Sequence, residues 1–417
     1  MEHERAAAWR ESALGRFEQL GLPTKRDEAW KYSALSAASA PTSLADAGPK
    51  AAASVVLPSQ AEAAPLRLVF VDGALDPGLS RFDAVAGVSA VRLCDALANP
   101  DGPAAQALLA RDAGGAAAMD ALNAAFARDG ALLRVEPRAQ VEQPIWILSF
   151  ATSSTGALAP LRHLVSVGAA AECTVVHWFS RSDDTRGWQS DVTDVVLEAS
   201  AQLRYVKVSR GGALGMHLGA VNVSQERDSR FFSHVFALGG GLNRTEVTVS
   251  LNGTGGETQL DGLSLARGEE RVDHQTCVEH RVASCTSNQR YKGIFDGSAR
   301  GVFAGRVYVA PLAVKTNAEQ RNANLLLSGD AEVDTKPELE IYADDVRCAH
   351  GATVGALDAQ AMFYLRSRGI SPEAARAMMM YGFALEMVER LPLPALQVAL
   401  REAMGDWTPP DAQEVVE

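Results

Sequence analysis

Hydrophobic positions follow two different rhythms along this chain. Residues 5–20 carry apolar side chains at helical spacing, with Trp9, Ala13, Phe17 and Leu20 on one face, and Gly21 and Pro23 stop the helix. Leu66 to Val71 is a short apolar run closed by Asp72-Gly73, the pattern of a strand entering a turn. Residues 103–129 are Ala-rich and composed of helix formers. Residues 36–65, rich in Ala, Ser and Pro, read as a mobile stretch or a linker.

Near Val135 the rhythm changes. From there to about His350 the chain is a series of short runs dense in Val, Leu, Tyr, Phe and Thr: Cys173–Phe179, Leu203–Val208, Phe231–Leu238, Glu246–Leu251, Thr258–Leu265, Gly301–Val309 and Leu339–Tyr342. Strict alternation shows in Glu246-Val-Thr-Val-Ser-Leu251, and turns fall at Gly239-Gly240-Gly241 and Asn252-Gly253. From Phe231 onward strand starts recur roughly every 13–17 residues. Two architectures fit: a sandwich or barrel, and a solenoid of stacked coils, the parallel β-helix. After Gly355 the helical period returns. Ser371-Pro372-Glu373 supplies an N-cap, a Pro at the first position and an acid in the first turn. Met378, Tyr381, Leu385 and Val388 then share a face, Pro392 and Pro394 end that helix, and Ala395 to Met404 form another. The acidic, Pro-containing tail after Trp407 reads as loose.

Charge and cysteine usage narrow the function. A net charge of −12 argues against nucleic acid as the main partner, because phosphate contacts need a surplus of Lys and Arg. The five cysteines, Cys94, Cys173, Cys277, Cys285 and Cys348, are odd in number and scattered, unlike a disulfide framework. Met1 to Arg10 lacks the apolar core of a signal peptide, and no stretch is apolar and long enough to span a bilayer. The expectation is a cytoplasmic protein with no membrane contact.

The leading chemical candidate is Cys348-Ala349-His350. On a strand, residues i and i+2 share a face, so thiolate and imidazole stand side by side as donors for iron or zinc, although on spacing alone a buried Cys beside a hydrogen-bonded His is the plainer reading. Two donors fall short of the four that a cluster usually takes, so any metal held here needs ligands from elsewhere in the chain or from another chain. A second group, His274, Cys277, His280 and Cys285, is awkward: Cys277 faces away from the two histidines and Cys285 lies past a turn, so wall residues are the plainer reading. The acidic residues Glu332, Asp334, Glu338, Glu340, Asp344 and Asp345 read as a solvated face, with a transient iron-holding surface as the sharper alternative. There is no G-x-x-x-x-G-K-[ST], no G-x-S-x-G and no H-E-x-x-H, so an enzyme is not expected.

Two long blocks carry a family resemblance. They are Lys315-Thr-Asn-Ala-Glu-Gln-Arg-Asn-Ala-Asn-Leu-Leu-Leu-Ser328 and Ala331 to Gly355, the latter containing Asp345-Val-Arg-Cys-Ala-His-Gly-Ala-Thr353. They continue into Phe363-Tyr-Leu-Arg-Ser-Arg-Gly-Ile370, with Cys285-Thr-Ser-Asn-Gln-Arg-Tyr-Lys-Gly293 upstream and Arg26-Asp-Glu-Ala-Trp-Lys-Tyr32 near the start. These closely resemble the SufB/SufD family of the SUF iron–sulfur cluster assembly system, on its SufD side. A SufB-like paralogue is the close alternative, and a stand-alone β-helix enzyme acting on carbohydrate the distant one.

The resemblance implies a right-handed parallel β-helix (residues 131–352) between an N-terminal helical or mixed region (1–130) and a C-terminal helical domain (353–417). It implies a non-enzymatic scaffold that pairs with a SufB-type subunit through the β-helix and with a SufC-type ATPase through the C-terminal helices. His350 carries over as the metal-site residue at the SufB interface, with Cys348 as its neighbour. Phe363, Tyr364, Met378, Tyr381 and Leu385 are the candidates on the ATPase side, the Met378/Tyr381/Leu385 face reading either as core, the plainer choice, or as that dock. No cofactor is expected to stay tightly bound to the isolated chain; iron or an iron–sulfur cluster passes through the complex. Whether two isolated chains pair through the same edge stays open.

Overall fold

The computed structural model describes residues 4–33, 35, 40–41, 43–45, 55–111, 117–152, 156–182, 184–405 and 407. Much of the 36–65 linker and the tail beyond Trp407 therefore lie outside the described residues.

From Ile145 to Gly355 successive strands alternate between two sheets, and all of them pair in parallel with the strand two places on. In one sheet Gln202 aligns with Arg230, then Glu257, Thr286, Asn317 and Arg347. In the other Trp188 aligns with Met216 and then Leu242. Each turn of the coil thus adds one strand to each sheet, which settles the choice in favour of the parallel β-solenoid. The repeat visible in the sequence is half a coil.

Period-2 alternation places one row of each strand in the lumen, where Val175, Leu203, Tyr205, Phe231, Val249, Leu260 and Phe303 form a continuous core. The corners repeat as well. Arg138, Ala170, Ser200, Asp228, Gly255, Ser284, Lys315 and Asp345 all take a left-handed backbone, at the same corner of successive coils. The amide of Ser200 donates to the carbonyl of Arg227 in the next coil, and Asp228 to Thr254, so the hydrogen-bond ladder continues around the bend.

The two ends of the stack differ. At the first end, Leu66–Val71 adds in parallel to Ile145–Ala151, and Asp72-Gly73, both left-handed, turn it back into Ala74–Leu75. Val88–Arg92 closes the other sheet by antiparallel pairing to Ala131–Val135. At the last end, Glu332–Ile341 and Arg347–Gly355 are the outermost strands of their sheets.

Helices cover the outer faces. The N-terminal helix Glu4–Leu20 buries Ala6, Trp9 and Ala13, while Leu20 stays exposed. The Ala-rich stretch forms Pro103–Leu109 and Ala118–Phe126. At the other face Pro372–Glu389 and Pro394–Gly405 press Ala384, Met387, Val388, Leu396 and Leu400 onto Val206, Val208, Phe236, Leu263 and Ile294 of the wall. Ser371 caps the longer helix by accepting from the Ala374 amide, with Pro372 at the first turn. Among the described residues no helix is long and apolar enough to cross a membrane.

Candidate functional site at the open end of the solenoid

The last strand, Arg347–Gly355, continues two lumen rows. Cys348 lies in register with Ala318, and His350 with Gln320; both neighbours are buried and face inward. Cys348 and His350 therefore share the lumen side, as their spacing predicts, and stand at the mouth because theirs is the outermost strand of its sheet among the described residues. Cys348 is half-buried and His350 exposed. Burial pushes the Cys348 thiol above its ordinary value, so a metal arriving here displaces a proton.

The facing strand Glu332–Ile341 brings Val333, Thr335, Pro337, Leu339 and Ile341 to the same side, in register with Gly301, Phe303, Gly305, Val307 and Val309. These supply no further thiol or imidazole. Among the described residues no group of three or more His, Cys, Asp or Glu is placed to hold a metal ion. Among the described residues Cys348 and His350 are thus the two thiol or imidazole groups at the mouth, fewer than the four donors a cluster usually takes.

Of the acidic residues before the motif, Glu332, Glu338 and Glu340 are paired with cations. Glu332 pairs with Arg300 at 3.1 Å, Glu338 with Lys336 at 2.7 Å, and Glu340 with Arg306 through both oxygens. That is the solvated face. The second Cys/His group disperses as its alternation requires. His274 packs against the Tyr291 ring, His280 meets Ser287 Oγ at 2.8 Å, Cys277 lies outside beside Arg306, and the Cys285 thiol donates to Gly253 O. Burial holds His274 and His280 down at about 4, so both stay neutral.

The C-terminal candidates separate into two groups. Tyr381 and Leu385 pack onto the apolar cluster between helix and wall, and Met378 is half-buried. Helix Ala359–Ser367 buries no residue, and Phe363 and Tyr364 on it are 73% and 56% exposed.

Sequence reasoning missed the polar lining of the lumen. Asp191 bonds Lys207 and His217, all fully enclosed. Nearer the open end, Gln289, Gln320, Asn322 and Asn324 face inward. The signal was available: in Ala318-Glu-Gln-Arg-Asn-Ala-Asn324 amides occupy every second position, the inward row.

The fold defines the class: a two-sheet parallel β-solenoid with helices on its outer faces and Cys348 and His350 on an outermost strand. The comparisons give its family. The domain described as "SUF system FeS cluster assembly, SufBD core domain" matches residues 150–383. The iron–sulfur cluster assembly protein SufD of Escherichia coli is 33% identical over 94% of this chain and 91% of its own length. An iron–sulfur cluster assembly SufBD family protein of Synechocystis is 30% identical over 95% and 90%, and SufD of Bacillus subtilis 28% over 68% and 65%. The chain belongs to the SufB/SufD family, and its general role is iron–sulfur cluster assembly in the SUF system.

Proposed function

We propose that this chain is a non-enzymatic scaffold subunit of a SUF assembly complex. Its open end joins the β-helix of a SufB-type subunit, and its C-terminal helices receive a SufC-type ATPase. Iron or a nascent cluster, as cargo, is held at the seam by His350, with Cys348 beside it and the remaining donors supplied by the partner. The observation that carries this reading is the coincidence of two outermost sheet edges with an exposed imidazole at the lumen mouth. Outermost strands present unsatisfied N–H and C=O groups, which favour pairing with another chain. A two-donor site likewise needs a second chain. Closure of an ATPase pair on ATP would pull on the C-terminal helices and move the wall they are packed against. The five free thiols fit a reducing cytoplasm.

The test is co-expression with SufB- and SufC-type partners. His350→Ala should leave the complex assembled and lower its iron and cluster content. Unchanged cluster content would refute the role of His350, and a chain that works with no partner would refute the scaffold reading.

A further inference from the structure

In the lumen of the last coils two side-chain hydrogen bonds converge on one amide oxygen. Thr276 on one wall donates its hydroxyl to Gln289 Oε1 on the other at 2.6 Å. Gln320, in register with Gln289 one coil further on, donates its Nε2 to the same oxygen at 3.3 Å. Gln320 is fully buried, and its Oε1 has no hydrogen-bond partner. With its nitrogen bonded back to Gln289, the amide leaves its oxygen for the next coil; in this conformer the exposed ring of His350 does not bond it, so the contact takes a turn of that ring. The next inward residue in that direction, in register, is His350. Side chains in register on one face of neighbouring parallel strands stand about 4.8 Å apart, a gap that one amide–imidazole hydrogen bond spans. The facing wall leaves room for this amide only because residue 305 is glycine: a Cβ there would come within 2.0 Å of Gln320 Nε2.

We propose that Gln320 is the positioning residue for His350, its Oε1 accepting a hydrogen bond from one ring N–H of the imidazole. A neutral imidazole has one donor and one acceptor nitrogen. Committing the donor to Gln320 fixes the tautomer and leaves the other nitrogen, with its lone pair, directed out of the mouth. This is what a ligand to iron requires, since the partner of the second ring nitrogen sets how a histidine presents itself to a metal. The inference rests on the reading of His350 given above.

The test needs no iron. Ring nitrogen shifts of His350 are measured by NMR in the full-length chain carrying ¹⁵N-histidine, with the signal assigned by its loss in His350→Ala. The wild type should show one tautomer favoured about fivefold or more beyond free imidazole, the bias expected of one net hydrogen bond. Gln320→Leu should return the ratio to that of free imidazole, and Gln320→Glu, which keeps the acceptor, should retain the bias. Should Gln320→Leu fail to fold, as judged by the ring signals of His274 and His280, Gly305→Ala displaces the amide from the opposite wall and should move the ratio the same way. An equal tautomer ratio in the wild type and the folded variants overturns the proposal, as it would if Gln320 Oε1 were satisfied by a buried water alone. The outcomes are separable. Unaltered iron content in His350→Ala removes the ligand role and leaves this hydrogen bond; an unbiased tautomer removes the hydrogen bond and leaves the ligand role.

Discussion

The guanidinium of Arg244 lies 3.9 Å from the centroid of the Trp30 ring, joining the N-terminal segment to the outer wall of the solenoid. Arg244 is buried and also bonds Asp273 and Glu246, so its charge is balanced on one side and covered by an aromatic face on the other. Two residues before Trp30, Glu28 bonds Lys336 on the outermost strand of that sheet. The segment Arg26–Tyr32 that carries part of the family resemblance thus acts as a strap over the coils leading to the open end.

Trp30→Ala should therefore cost about 3–5 kcal/mol, the usual loss for a buried aromatic, read as a lower denaturant midpoint. Glu28→Ala, which removes only an exposed pair, should change stability by less than about 1 kcal/mol. Hydrogen exchange should show faster opening of 26–33 in the first variant and little change in the second.

Acid should loosen the solenoid through its buried histidines. Burial holds His163, His234, His274 and His280 at about 4, below the ordinary histidine value of 6.5. The unfolded chain then binds more protons than the folded one between those values, so stability is full above pH 6.5 and declines as pH falls toward 4. Urea midpoints measured from pH 7.5 to 4.5 should fall steadily, and His274→Gln should flatten part of that slope.

Asp120 should show the opposite sign. Burial lifts its carboxyl to about 6, against the partly offsetting charge of Arg162. A folded-state value above the unfolded one means that this group's stability contribution is lost as pH rises through 6. Asp120→Asn can still accept from Asn222 Nδ2, which lies 3.0 Å from Asp120 Oδ2. It should be more stable than the wild type by about 1–3 kcal/mol at pH 8. That advantage should vanish near pH 4.

The C-terminal helices should divide by substitution. Leu400→Ala, at a fully buried contact with the wall, should cost about 2–5 kcal/mol in thermal or denaturant unfolding. Phe363→Ser and Tyr364→Ser remove exposed side chains and should leave stability within about 0.5 kcal/mol. On the proposed reading they should weaken co-purification of the ATPase.

Much of the wall was legible before any coordinates. Alternation in Glu246–Leu251 and the spacing of Cys348 and His350 each specify a face, because a strand's side chains have a period of two whatever surrounds it. The helix boundaries at Gly21, Ser371 and Pro392 were equally local, being set by caps and by residues that cannot continue a helix.

The chain order alone determined which residues share a face, where helices begin and stop, and which family the chain belongs to. Only the folded stack decided that the face holding His350 is the lumen, that its strand is the last, and that Gln320 is its neighbour. Those facts depend on the register between residues a full coil apart in sequence. No local periodicity encodes that spacing, because the corners vary in length and close through left-handed residues as unlike as Ala170, Asp228 and Lys315.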